Sequence, residues 1–235
     1  MSFVDVDSRR GIGAVVNAAV GLAAGGRAAA RRASSFTCVD QFTRRQSGTV
    51  DVWWIYDDGG LTLLLPYILS IRRAWASCPL RVFTLANKQT ELELEERNMA
   101  SLLSKFRIDY SALKMVADIT RRPRDSTLAY FDTLIAPFRD KNSNSHTNDA
   151  ESNAYITDED LMAACDRTYR HLRLRELISE QSSGARLVCV TLPMPRRRAF
   201  VPPPLYHAWL HAIATAGERV LLVRGNHAAV LTFYS

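Results

Sequence analysis

The densest group in this sequence that could do chemistry is Asp57-Asp58-Gly59-Gly60. It follows the apolar, β-branched run Val50–Tyr56, at the place where open α/β sheets take their ligands. Paired carboxylates there can hold a hard cation or share a proton as an acid–base pair. No histidine or third carboxylate stands near them in sequence. The same four residues also make a helix cap and a tight glycine turn, which is the plainer reading.

His207 and His211 have the i, i+4 spacing of a zinc-binding helix, but no glutamate follows His207 to act as a general base. A structural role is the better reading of that pair. Gly11-Ile12-Gly13 opens like a dinucleotide fingerprint and fails at Val16, where a third glycine is needed. There is no G-x-S-x-G elbow and no G-x-x-x-x-G-K-[ST] loop. Cys38, Cys78, Cys165 and Cys189 form no C-x-x-C pair and read as free thiols in a reducing compartment. These features predict a binding or regulatory module and no enzyme, with no metal. Arg31-Arg32-Ala33-Ser34 and Arg44-Arg45-Gln46-Ser47 each place a serine two residues beyond an arginine pair. Ser34 and Ser47 are therefore candidate sites for a basophilic kinase, although any Arg- and Ser-rich arm produces such matches.

The elements that must position these residues are legible from residue 48 onward. Residues 1–47 read as a low-complexity basic arm, expected to be disordered, and 48–235 as an α/β domain. Strands are predicted at Val50–Tyr56, Leu80–Leu85, Ala112–Val116, Arg186–Leu192 and Arg219–Val223. Helices are predicted between them. The first has Leu64, Ile68, Ile71 and Trp75 inward and Arg72 and Arg73 in its last turns; the second carries Leu92, Met99, Leu103 and Phe106. A short stretch follows at Leu128–Ile135. A long helix opens at a capping box on Thr157 and Asp160, with Leu161, Cys165, Tyr169 and Leu172 inward, and a last one spans Leu205–Ala216. Residues 139–155 are polar throughout and read as a mobile surface loop. The alternation predicts a mostly parallel sheet with helices on both faces. Gly225-Asn226 predicts a two-residue turn that brings Val230–Tyr234 back antiparallel as an edge hairpin.

Composition agrees with one ordinary domain plus a tail. The chain has 235 residues, 47% of them hydrophobic and 23% charged. Its net charge of +6 is concentrated early, with seven arginines against three aspartates in the first 50 residues. The folded part lacks the basic stripe interleaved with aromatics that a nucleic-acid binder carries, so no nucleic acid is expected as a partner. The longest apolar stretches, Gly11–Gly26 and Leu61–Ile71, fall short of the about 20 residues that a membrane span needs.

Ser47–Tyr67, Leu102–Tyr110, Ile156–Asp158, Tyr169–Leu177 and above all Leu221–Ser235 (LLVRGNHAAVLTFYS) resemble the cation-chloride cotransporter family. The ending Asn226–Ser235 resembles its sodium-dependent branch, the Na-K-2Cl and Na-Cl cotransporters, the former more closely. The resemblance runs from about Gly48 to Ser235, while residues 1–46 and the stretch Pro193–Pro204 depart from it. It implies the second half of a large cytoplasmic domain that follows twelve membrane helices. Such a domain sits at the cytoplasmic face of the plasma membrane. It supports homodimer formation, or pairing with full-length cotransporter subunits, and control of ion transport by regulatory kinases. Some family members carry an adenine nucleotide in this domain, which makes Asp57, Asp58, Gly59 and Gly60 a conceivable contact; no other cofactor is expected. The alternative from a different class is a standalone soluble nucleotide-binding α/β regulatory protein.

Overall fold

Strands rich in valine, leucine and aromatic residues pair where both faces of a sheet can be buried, and this chain supplies five of them. In the computed structural model, residues 44–55, 59–85, 92–139, 155–194, 201–225 and 229–231 are described. The chain divides into Met1–Arg45 and Gln46–Ser235, and the architecture below is that of the second unit. Its strands are β1 (Thr49–Trp54), β2 (Leu80–Leu85), β3 (Ala112–Val116), β4 (Ala185–Thr191) and β5 (Val220–Val223). They form one sheet in the order β3-β2-β1-β4-β5, and each neighbouring pair is parallel. The helices are α1 (Leu61–Ser70), α2 (Leu92–Lys105), α3 (Asp125–Ile135), α4 (Asp158–Ala163), α5 (Cys165–Gln181) and α6 (Pro203–Ala214).

Alternation along β1 and β2 sorts the core. Val50, Val52, Leu80 and Val82 point to one face, where they meet Leu63 of α1 and Leu103 of α2. Trp53 and Phe83 point to the other, with Leu174, Leu177 and Ile178 of α5 and Ile213 of α6. A third cluster lies outside that layer, where Phe131 and Ile135 of α3 meet Leu172, Leu205, Trp209 and Ala212. Helices thus cover both faces, as the sequence predicts. Trp53 and Phe83 are register partners across β1 and β2, and their rings stack at 4.6 Å between centroids. Two residues earlier, on the same face, the register places Arg81 beside Asp51. Arg81 Nε donates to Asp51 Oδ1 at 2.8 Å and Nη2 contacts Oδ2, on a carboxylate with no solvent exposure.

The edge hairpin is a correction. β5 pairs with β4 in parallel, and no antiparallel pair occurs among the described residues. Instead, the Val230 N–H donates to the Gly59 carbonyl at 2.8 Å. Leu231 joins the cluster on the α1 side. A partly buried contact of Leu231 with this cluster outweighs the local turn signal of Gly225-Asn226, whose second residue lies outside the described residues.

The first helix also differs from expectation. It ends at Ser70, so Arg72, Arg73 and Trp75 fall in the turns beyond it. Its buried face is Thr62, Leu63 and Pro66, while Leu65, Ile68 and Ile71 are exposed. The long helix after Thr157 is broken at Ala164 into α4 and α5. Its capping box forms as predicted: Asp160 N–H donates to Thr157 Oγ1 at 3.1 Å, and Thr157 N–H to Asp160 Oδ2 at 3.0 Å. The polar segment 140–154 lies outside the described residues, but its two ends meet. Arg139 and Ile156 form a parallel bridge, the Ile156 N–H donates to the Phe138 carbonyl at 2.8 Å, and Arg139 pairs with Asp158.

Candidate functional site

The strand order reverses direction between β1 and β4, so the carboxyl ends of these two strands form the switch point at which open α/β sheets bind ligands. Beyond the last paired residues, Thr191 of β4 ties the two strands together. Its hydroxyl accepts from the Ile55 N–H at 3.3 Å and donates to the Trp53 carbonyl at 3.4 Å. The ladder between β4 and β5 is prolonged by the Leu192 N–H donating to the Val223 carbonyl at 2.7 Å. On the α6 side, the Tyr206 hydroxyl donates to the Pro193 carbonyl at 3.0 Å. Burial pushes the Tyr206 phenol up, against the pull of the Arg224 charge.

Gly59 and Gly60 stand at this edge, both with left-handed backbone (φ 79° and 88°). Gly60 caps α1 through its carbonyl, which accepts from the Leu63 and Leu64 amides at 3.1 and 2.9 Å. A β-carbon on Gly60 would lie 2.7 Å from Leu231 Cδ1, so the missing side chain is what admits the carboxy-terminal segment. Asp57 and Asp58 lie outside the described residues. Among the described residues, the edge presents backbone groups, the hydroxyls of Thr191 and Tyr206 and the Arg224 guanidinium. No nucleophile–base pair is among them, and no cluster of metal-ligating side chains occurs among the described residues.

The other sequence candidates are dispersed. Ser34 lies outside the described residues. Ser47 is exposed but held between two tied neighbours: Gln46 bonds the Ala74 carbonyl at 2.7 Å and accepts from Arg186 Nε at 2.7 Å, and Gly48 has φ 108°. His207 is exposed on α6, and His211, one turn on, is held below its ordinary pKa by burial and by Arg175. Among the described residues, the most perturbed histidine is one that the sequence does not single out. His171 on α5 packs against Trp209 at 4.8 Å, and burial, then Arg167 and Arg170, bring its pKa down to about 4. Trp209 Nε1 in turn donates to Thr168 at 3.0 Å, fixing α6 on α5. Sequence reading also misses Thr191 and the docking of Val230 and Leu231, because a threonine inside an apolar strand and a tail contact with a distant glycine leave no local signal.

Comparison with known proteins gives agreeing results. The model of the family described as solute carrier family 12 matches residues 21–235. A bumetanide-sensitive sodium-(potassium)-chloride cotransporter of Manduca sexta is 53% identical over 192 residues, covering 82% of this chain and 17% of that protein. Solute carrier family 12 members 2 and 1 of Mus musculus are each 44% identical over 201 residues, covering 83% of this chain and 16% and 18% of theirs. The chain therefore spans less than a fifth of the length of these relatives.

Proposed function

The chain belongs to solute carrier family 12, among the sodium-(potassium)-chloride cotransporters and their kin, and from that premise we propose that it is a regulatory and dimerisation domain of such a transporter. In this reading it works at the cytoplasmic face of the plasma membrane. It supports electroneutral, cation-coupled chloride symport and chloride and volume homeostasis as part of a full-length protein, and is not itself an enzyme. The observation that carries the reading is the 53% identity to a cotransporter over most of this chain, within 17% of that transporter's length. Among the described residues no helix is long and apolar enough to cross a membrane, which supports a role beside the pore rather than in it. The exposed row Leu65 and Ile68 on α1, with Ile71 just past its end, supports the assembly part, since adjacent apolar residues left open mark contact surfaces. Regulatory kinases acting on Ser34 and Ser47, and an adenine nucleotide at the loop after β1, belong to the same proposal.

The test is a segment exchange. The matching part of the moth cotransporter is replaced by this chain, and bumetanide-sensitive rubidium uptake and surface abundance are measured in cells. The exchanged transporter is expected to keep most of its uptake, and a deletion of the same part to lose it. Ile68→Glu in the exchanged transporter is expected to reduce cross-linked dimer. An exchange as inactive as the deletion, with the protein present at the surface, would overturn the reading. It would leave the standalone nucleotide-binding protein as the better one.

A further inference from the structure

We infer that the arginine-lined cleft between the loop after β3 and the end of α5 is a binding site for compact phosphate-bearing molecules that lack an aromatic base. The cleft has a volume of about 540 Å³ and is lined by Arg121, Arg122, Arg124, Arg173, Asp125 and Glu180, together with Pro123. Four guanidiniums thus face two carboxylates, and guanidiniums are the groups that take phosphate oxygens in pairs. Asp125 pairs with Arg122 at 3.3 Å. Glu180 pairs with Arg124 and lies 3.9 Å from Arg173. Arg121 is exposed, and its side chain has no ion-pair partner among the described residues.

The cleft is held in shape from behind. Arg173 is buried and donates through Nη1 to Glu176 at 2.6 Å and through Nε to the Asp118 carbonyl at 3.3 Å. The Arg124 N–H donates to the other Glu176 oxygen at 2.8 Å, which locks the arginine loop onto α5. Binding therefore does not require ordering the backbone of that loop, and only the exposed arginine side chains remain to be fixed by a ligand. Glu180 is the carboxylate that a ligand would displace. It sits in the last turn of α5 with its carboxylate near two guanidiniums, in the position an incoming oxyanion would take. Swinging out to solvent, it would leave the Arg124 guanidinium to the ligand, with the charge of Arg173, still held by Glu176, behind it.

The lining also limits the ligand. No aromatic side chain is part of it, so a purine or pyrimidine has no ring to stack on. The volume exceeds what one phosphate fills and suits a small molecule. A polyphosphorylated polyol matches both limits, either free in solution or as the headgroup of a lipid.

The experiment uses the full chain. Titration calorimetry with pyrophosphate and with inositol trisphosphate measures the soluble arm. Co-sedimentation with phosphatidylcholine vesicles, with and without phosphatidylinositol bisphosphate, measures the lipid arm. The paired variant Arg121→Gln/Arg122→Gln is expected to bind about tenfold more weakly or worse. Arg72→Gln/Arg97→Gln, which removes the same charge elsewhere, is expected to bind as the parent does. Glu180→Gln is expected to bind several-fold more tightly, a gain that misfolding cannot produce. Arginine-dependent binding to soluble ligands alone assigns the site to a free phosphate compound, and stronger binding to bisphosphate vesicles assigns it to a headgroup; either supports the site. Absence of binding in both arms, equal weakening by the two arginine pairs, or a Glu180→Gln variant no tighter than the parent would overturn it.

Discussion

Arg81→Met tests the most buried charge in the sheet. The substitution keeps the stem that packs beside Phe83 and deletes the guanidinium that bonds both oxygens of Asp51. Asp51 has no solvent exposure, so its carboxylate is left with neither water nor its partner. Stranding one member of a buried pair in this way costs about 3–5 kcal/mol. The reciprocal change, Asp51→Asn, is milder, because the Arg81 side chain is 22% exposed, still reaches the Gln181 carbonyl at 3.2 Å, and lies 5.4 Å over the Phe83 ring. Losing a charge-assisted hydrogen bond there costs about 1.5–3 kcal/mol. The double variant Asp51→Leu/Arg81→Met removes both charges and fills the space with apolar atoms, which brings stability back to within about 1 kcal/mol of the parent. The assay is urea unfolding followed by tryptophan fluorescence, with Trp53 stacked on Phe83 as a reporter at the centre of the sheet. If Arg81→Met costs less than Asp51→Asn, or if the double variant is no more stable than the weaker single, the reasoning is wrong.

Three further outcomes are expected. Gly60→Ala destabilises by about 1–2 kcal/mol from the left-handed backbone alone, and the 2.7 Å clash with Leu231 makes the carboxy-terminal segment easier to cleave in limited proteolysis. The fold favours neutral His171, whose pKa of about 4 lies below the ordinary 6.5. Its contribution to stability is therefore complete above pH 6.5 and is lost as pH falls toward 4, roughly 3 kcal/mol in all. Urea midpoints measured across that range should fall in the parent and fall less in His171→Phe. Thr157→Ala removes the hydroxyl that holds the Asp160 amide and costs about 1 kcal/mol in the same unfolding assay.

The five strands were legible because β-branched and aromatic runs between turn residues have few other places to go. The capping box at Thr157 was legible because both partners are within one turn of each other. What failed was decided at longer range. Residues 61–71 are apolar almost throughout, so no helical period selects a face, and packing against β1 and β2 chose Leu63 and Pro66 over Leu64 and Ile68. Gly225-Asn226 has the chemistry of a hairpin turn, yet the tail finds a better-buried partner beside Gly60. The break at Ala164 has no glycine or proline to announce it. At the switch point, the glycines were readable as a turn, whereas Thr191 and Leu231 matter only through neighbours that the fold brings to them. The arginines of residues 121–124 are plain in the sequence, but Arg173 and Glu180 join them only through the path of α5.

The bridge between Arg139 and Ile156 brings together the two ends of the segment between them. Because that closure belongs to the fold, lengthening the intervening segment costs only loop entropy, about 0.6 kcal/mol for each doubling. The site is thus a natural port for cargo, where an epitope, a fluorescent protein or a recognition sequence could be carried while the bridge keeps Ile156 in its core cluster. Sister proteins could diverge in length there while keeping every strand in register.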